Sequence, residues 1–172
     1  MKDKNGVIRL YNMILPIWLL VWWPSYLWLI LLPLNYLWDR LMFSFALQKE
    51  EVENRKKIAR YHTWEICLAG FAADFAGAAV LYFIAVTFGE KGWVYEHITE
   101  HLLNPFTDVF MFLLVCFSIA ISGLVVYLLD GVILRGAVLR SGEELRGDQI
   151  RKIAFWMAVT TAPYFYLVPV VV

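Results

Sequence analysis

The chain has 172 residues, of which 61% are hydrophobic, 17% aromatic and 17% charged, whereas an average soluble domain carries about 25% charged residues. With 8 Trp, 12 Phe and 9 Tyr and a mean hydropathy of +0.63, there is too little polar surface to cover a water-facing fold, and a bilayer is expected to be part of the solvent. Lys+Arg and Asp+Glu both number 15, and this balance excludes a whole-chain argument for nucleic acid or for a strongly charged substrate.

The first element is an apolar run from Leu10 to Trp38, 29 residues without a formal charge between Arg9 and Asp39. A span needs about 20. Pro16, Pro24 and Pro33 each remove a backbone donor and crowd the preceding turn, which kinks or breaks a helix. Two shapes follow: one kinked, tilted span, or a re-entrant hairpin that breaks near Pro24-Ser25. The basic residues Lys2, Lys4 and Arg9 favour the hairpin, because it keeps both flanks on one side. The Trp residues of this run suit either shape, since Trp gathers at the headgroup level.

Residues 41–62 come next and are predicted to form an amphipathic helix along the cytoplasmic interface. The pairs Glu51/Arg55 and Glu53/Lys57 have acid-before-base spacing of four, which supports a solvated helix by about 0.3 kcal/mol per pair. Leu41, Phe45, Gln48 and Val52 are predicted to continue the apolar side. Arg55, Lys56, Lys57 and Arg60 form a basic cluster that is a candidate site for anionic lipid headgroups, although a role in setting topology explains it as well.

A second apolar run, Ile66 to Gly89, is interrupted only by Asp74. A third, Val109 to Leu129, is preceded by Asn104-Pro105, a cap residue followed by proline at a first helical position. A fourth, Ile153 to Val172, holds Pro163 and Pro169 and is just long enough to span. Segment 39–65 holds Arg40, Lys49, Arg55, Lys56, Lys57 and Arg60, and segment 130–152 holds Arg135, Arg140, Arg146, Arg151 and Lys152. Both are expected in the cytoplasm. Segment 89–106, with Lys91 against Glu90, Glu96 and Glu100, is expected outside, as is the C-terminus. Ser141 and Glu144 have capping-box spacing and predict a short helix before Gly147.

The expected fold is therefore all-α: one polytopic transmembrane helix bundle of membrane segments 10–38, 66–89, 105–129 and 153–172. No signal-peptide cleavage pattern, repeat or linker divides it.

Within that frame Asp74 is the most informative residue, because an ionisable side chain inside a span costs a few kcal/mol unless it is neutral, paired or wet. Counting helix rise places Ser122, Thr160 and Thr161 at similar depth, so a polar layer of these four residues is predicted. It would serve as a packing anchor or, alternatively, as a relay for protons or cations. Ala69, Ala73 and Gly77 recur every four residues and form a smooth stripe for close helix approach, within the chain or between copies.

His97-Ile98-Thr99-Glu100-His101 matches a His-x-x-Glu-His zinc pattern in which two imidazoles share a helix face and Glu100 activates water. The match is short, and few outer residues could add a third ligand. Cys67 and Cys116 fall at different depths and are expected to be free thiols. Asp39 and Asp130 each end an apolar run near a basic residue and read as interfacial anchors.

The expected role is a non-enzymatic structural or accessory subunit with no cofactor, its partners being the bilayer and further copies or other membrane subunits. A small transporter or channel using Asp74 is the alternative, and a membrane-embedded zinc enzyme using His97, Glu100 and His101 the second.

Overall fold

A computed structural model describes residues 26–88, 92–101, 104–141 and 145–169. Among these the regular structure is entirely helical. The α-helices are α1 (Tyr26–Lys49), α2 (Arg55–Phe88), α3 (Trp93–His97), α4 (Val109–Ser141) and α5 (Gly147–Thr161), with single 3₁₀ turns at Thr99–His101, Pro105–Thr107 and Tyr164–Leu167. Two stretches, Arg55–Ile84 and Val109–Gly136, are long and apolar enough to cross a membrane.

Residues 10–25, where the choice between a span and a hairpin would be settled, lie outside the described residues. Beyond them the apolar run does not stop at Asp39. Helix α1 passes through Pro33 and continues across Asp39 and Arg40 to Lys49, so a charged residue marks no helix end here.

The predicted helix over 41–62 is not formed. The chain breaks at residues 50–54, where Glu51 and Asn54 adopt left-handed backbone angles of φ 51° and 53°. This hairpin joins α1 to α2, and Val52 is tucked into the core at its tip. The acid–base pairs of spacing four therefore straddle the break instead of stacking on one helix. The buried face of α1 is also not the one expected. Asp39, Phe43, Ala46 and Leu47 are buried, while Leu41 and Phe45 point outward.

The N-terminal boundary of α4 differs as well. Asn104 caps only the short 3₁₀ turn, its Oδ1 accepting from the Phe106 amide at 3.1 Å. The helix itself is capped by Asp108, whose Oδ1 accepts from the amides of Phe110 (2.7 Å) and Met111 (3.3 Å), satisfying donors that have no partner in the first turn. The helix predicted from Ser141 and Glu144 falls largely on residues 142–144, outside the described residues; α4 runs to Ser141, and α5 opens at Gly147, where the Gln149 side chain accepts from the Arg146 amide at 3.1 Å.

The fourth apolar run does not form one spanning helix. Helix α5 has 15 residues, about 22 Å at 1.5 Å per residue, against about 30 Å of hydrocarbon. It ends before Pro163, where the backbone turns extended and then forms the 3₁₀ turn at Tyr164–Leu167. Proline cannot supply the amide hydrogen that would continue the helix.

The helices pack as one bundle in which the α2/α4 contact is the most extensive, with α5 against α4 and α1 against both α2 and α5. The larger apolar core joins Phe43, Leu47, Ile58, Ile66, Leu134 and Ile153 towards the end that carries the basic loops. A second joins Leu81, Ile98, Met111, Val115 and Ile119 at the other end.

Candidate functional site: a buried carboxyl layer

Between these two cores α2 and α4 come together over small residues. Ala69, Ala73, Gly77 and Ala78 are buried, and a Cβ at Gly77 would collide with Ser122 Oγ and meet the Ser118 carbonyl at 3.0 Å. The Ser122 hydroxyl donates to the Ala73 carbonyl at 2.9 Å, and Ser118 donates to the carbonyl of Gly77. The small-residue stripe is thus used inside the chain. Its hydroxyls latch onto the facing backbone and do not reach the Asp74 carboxyl.

The predicted polar layer consequently has other members. Thr160 and Thr161 donate back to the carbonyls of their own helix, Trp156 and Met157, each at 2.8 Å, as hydroxyls inside apolar helices do. Tyr166, from the turn after α5, donates to the Asp74 backbone carbonyl at 2.7 Å. The buried Oδ1 of Asp74 has no hydrogen-bond partner among the described residues.

The carboxyl that acts on Asp74 is Asp39, and a third, Asp130, is linked to the same Asp39. Asp39 on α1 is 2% exposed and Asp130 on α4 is 0% exposed, so neither is the interfacial anchor expected from its position at the end of an apolar run. Asp39 lies close enough to Asp74, to Asp130 and to the Cys67 thiol to act on all three through space. Its Oδ2 accepts from Asn35 Nδ2 at 3.1 Å, and that same amide nitrogen lies 3.8 Å from Cys67 Sγ. Gly70 borders the carboxyl, a Cβ there standing 3.8 Å from Asp39 Oδ2. Both oxygens of Asp130 lack a hydrogen-bond partner among the described residues.

Three helices therefore deliver Asp39, Asp74 and Asp130 to one region of the bundle, together with Asn35 and Cys67. The spacing explains the convergence. Asn35 and Asp39 are four apart on α1, and Cys67, Gly70 and Asp74 fall at i, i+3 and i+7 on α2, which places each set on one helix face. An ionisable side chain in so apolar a setting is costly unless it is neutral, paired or wet. What such a layer can do chemically is take up and release protons.

His62, which is 3% exposed, is a further buried titratable group that sequence reasoning missed. Its Nδ1 lies 2.9 Å from Glu65 Oε2, while the buried Nε2 has no partner among the described residues.

The His97–His101 motif is split. Helix α3 ends at His97, and Thr99–His101 forms a separate 3₁₀ turn, so the two imidazoles do not share a helical face. His97 Nδ1 donates to Asp108 Oδ2 at 2.9 Å. The Thr107 hydroxyl donates to the Asn104 carbonyl at 2.7 Å, so His101 Nδ1, 2.7 Å from the same Oγ1, is the donor in that contact. Glu100 is exposed. The His97 ring packs with Trp93 and Phe110 at centroid distances of 4.9 and 5.4 Å, which fastens α3 to the start of α4. No group of three His, Cys, Asp or Glu side chains among the described residues is arranged to hold a metal ion.

The basic cluster Arg55, Lys56, Lys57 and Arg60 opens α2 and is exposed throughout. Cys67 and Cys116 are free thiols. No family model matches the chain, and neither a curated protein nor a solved structure does.

Proposed function

We propose that the chain is a small polytopic membrane protein whose buried carboxyl layer exchanges protons, as part of a transporter or channel. The observation that carries this reading is the convergence of Asp74 and Asp130 on Asp39 from three helices, with Asp130 wholly buried and, among the described residues, without a hydrogen-bond partner. An ionisable group at such depth is costly and marks a pathway more often than a packing contact. The hydroxyl layer that would have made Asp74 a packing anchor is occupied elsewhere.

In this reading α2 and α4 cross the bilayer, and the apolar stretches 10–38 and 153–172 are embedded beside them. The outward faces support it: Phe75, Tyr82 and Phe83 on α2 and Leu113, Phe117 and Leu124 on α4 are large, apolar and about half exposed, a surface suited to lipid and not to water. The basic residues of segments 39–65 and 130–152, beyond Asp39 and Asp130, face the cytoplasm by the positive-inside rule, and 89–106 with the C-terminus faces outward.

The same outward apolar faces favour a second reading, a non-enzymatic accessory subunit that packs against other membrane helices. Reconstitution separates the two. Proton uptake by vesicles containing the purified chain under an imposed pH gradient is expected to exceed that of empty vesicles. Asp39→Asn, Asp74→Asn and Asp130→Asn are each expected to lower it at least about tenfold, a loss of about 1.4 kcal/mol in the barrier, without loss of the folded state. Uptake equal to that of empty vesicles, or unchanged in all three variants, overturns the transport reading in favour of the accessory one.

A further inference from the structure

At the end of the bundle that carries the basic loops, α1, α4 and α5 leave an open cleft of about 430 Å³. Its rim holds Lys49, Arg151 and Lys152 against a single carboxylate, Glu50, and its walls include Phe155 and Trp156. Glu50 pairs with Lys152 at 3.2 Å. The Lys49 ammonium stands 3.4 Å from the centroid of the Trp156 ring, a cation–π contact that holds it at the rim. Among the described residues neither Lys49 nor Arg151 has a carboxylate within ion-pairing distance.

A second, smaller groove of about 160 Å³ adjoins the first, sharing Tyr127 and Arg151. It runs between α4 and α5 over Leu128, Val132, Ile150 and Ala154, with Arg135 also on its border. A cationic, aromatic-walled cleft continuous with an apolar groove has the two halves of a lipid: the cleft matches a phosphate headgroup and the groove an acyl chain. Arg151, common to both, stands where the two parts of such a molecule would join, and its guanidinium suits phosphate oxygens geometrically.

We propose that this cleft and groove bind one anionic glycerophospholipid, with Lys49 and Arg151 on the phosphate and the α4/α5 groove on an acyl chain. The inference places lipid recognition here, and not at the cluster Arg55, Lys56, Lys57 and Arg60, because those side chains are exposed on the first turns of α2 whereas Lys49 and Arg151 border a cleft. It rests on the membrane placement proposed above but not on the carboxyl layer.

The test is native mass spectrometry of the full chain in a mild nonionic detergent, titrated with dioleoylphosphatidylglycerol, dioleoylphosphatidylcholine or inorganic phosphate. The anionic lipid is expected to be retained at least about tenfold more tightly than the zwitterionic one, given about 1 kcal/mol for each basic residue near the headgroup. The double variant Lys49→Gln/Arg151→Gln is expected to lose that preference, Lys49→Arg/Arg151→Lys to keep most of it, and Arg55→Gln/Lys56→Gln to leave it unchanged. Equal retention of the two lipids overturns the site while leaving the membrane placement intact, as does a loss that follows Arg55 and Lys56. Displacement of the lipid by an equal concentration of inorganic phosphate overturns the acyl-chain half. A chain that stays folded and monodisperse without detergent overturns the membrane placement itself.

Discussion

The α2/α4 seam and the carboxyl layer, to which α1 also contributes, share two helices, yet they handle buried polar atoms in opposite ways. In the seam every polar side chain has a partner across the interface: Ser118 and Ser122 each donate to a backbone carbonyl of α2, and Gly77 lets the helices approach that closely. In the layer Asp130 has none and Asp74 Oδ1 has none among the described residues. Packing alone explains the first arrangement. It does not explain the second, since an apolar residue would fill the same space at lower cost. The difference separates what holds this bundle together from what it is built to carry.

That contrast can be broken or sharpened by substitution. The largest effect is expected for Gly77→Val, which drives a branched side chain into Ser122 and the Ser118 backbone and should destabilise the protein by about 3 kcal/mol, read as a lowered thermal midpoint in detergent. Gly70→Ala, in the layer, meets only Asp39 Oδ2 at 3.8 Å and should be neutral or stabilising by up to about 1 kcal/mol through helix propensity. If the two glycines respond alike, the distinction between seam and layer is wrong.

Next in size is Asp130→Leu, expected to raise stability by about 1–2 kcal/mol, because it removes a buried unpartnered carboxyl, while abolishing proton uptake. Destabilisation by this variant would mean that Asp130 is an anchor after all. Ser122→Ala is expected to cost about 0.6 kcal/mol, the usual worth of an interhelical hydrogen bond in a membrane protein, with proton uptake preserved.

The smallest effect concerns acid sensitivity at the opposite end of the bundle. The hydrogen bond from His97, with those from the Phe110 and Met111 amides, holds the Asp108 carboxyl below the usual carboxylate range. A carboxyl lowered in the folded state contributes stability that is present above its unfolded pKa and is lost as pH falls through the folded one. Asp108→Asn should therefore flatten the acid limb of the stability profile, lowering stability at neutral pH while changing it little at pH values below the folded pKa. A steeper limb in the variant contradicts this assignment.

Much of the fold was legible from hydrophobic run length. The helices α2 and α4 coincide with the second and third apolar runs, because about 20 apolar residues between charged flanks leave a chain few ways to satisfy its backbone other than a helix. Boundaries were less legible. Asp39 and Asp130 looked like ends because charge was taken to mark the edge of an apolar environment, but a helix propagates through a charged residue whenever tertiary packing covers it. The hairpin at residues 50–54 left little trace, since Glu51 and Asn54 carry no glycine or proline to announce a left-handed backbone.

For the candidate site, Asp74 stood out as a charge inside an apolar run, and the stripe Ala69, Ala73 and Gly77 stood out by its period. Their partners did not. Depth counted along a helix places Ser122, Thr160 and Thr161 level with Asp74, but a depth says nothing of the direction in which a side chain points. Thr160 and Thr161 turn back to their own helix, Ser122 reaches Ala73, and the carboxyl is left to Asp39. The same limit applied to His97 and His101, whose spacing of four puts two imidazoles together only where one helix runs through both.

By itself the sequence determined the helical class, the two long apolar helices and the one residue, Asp74, whose burial demanded an explanation, because all three depend on local composition and on the period of a single helix. Which faces meet was decided only by the tertiary structure. The rotation of α1 that buries Asp39, the use of the small-residue stripe within the chain and the cleft beside Lys49 and Arg151 arise from packing one helix against another, and the free energy of that contact is a property of neither helix alone.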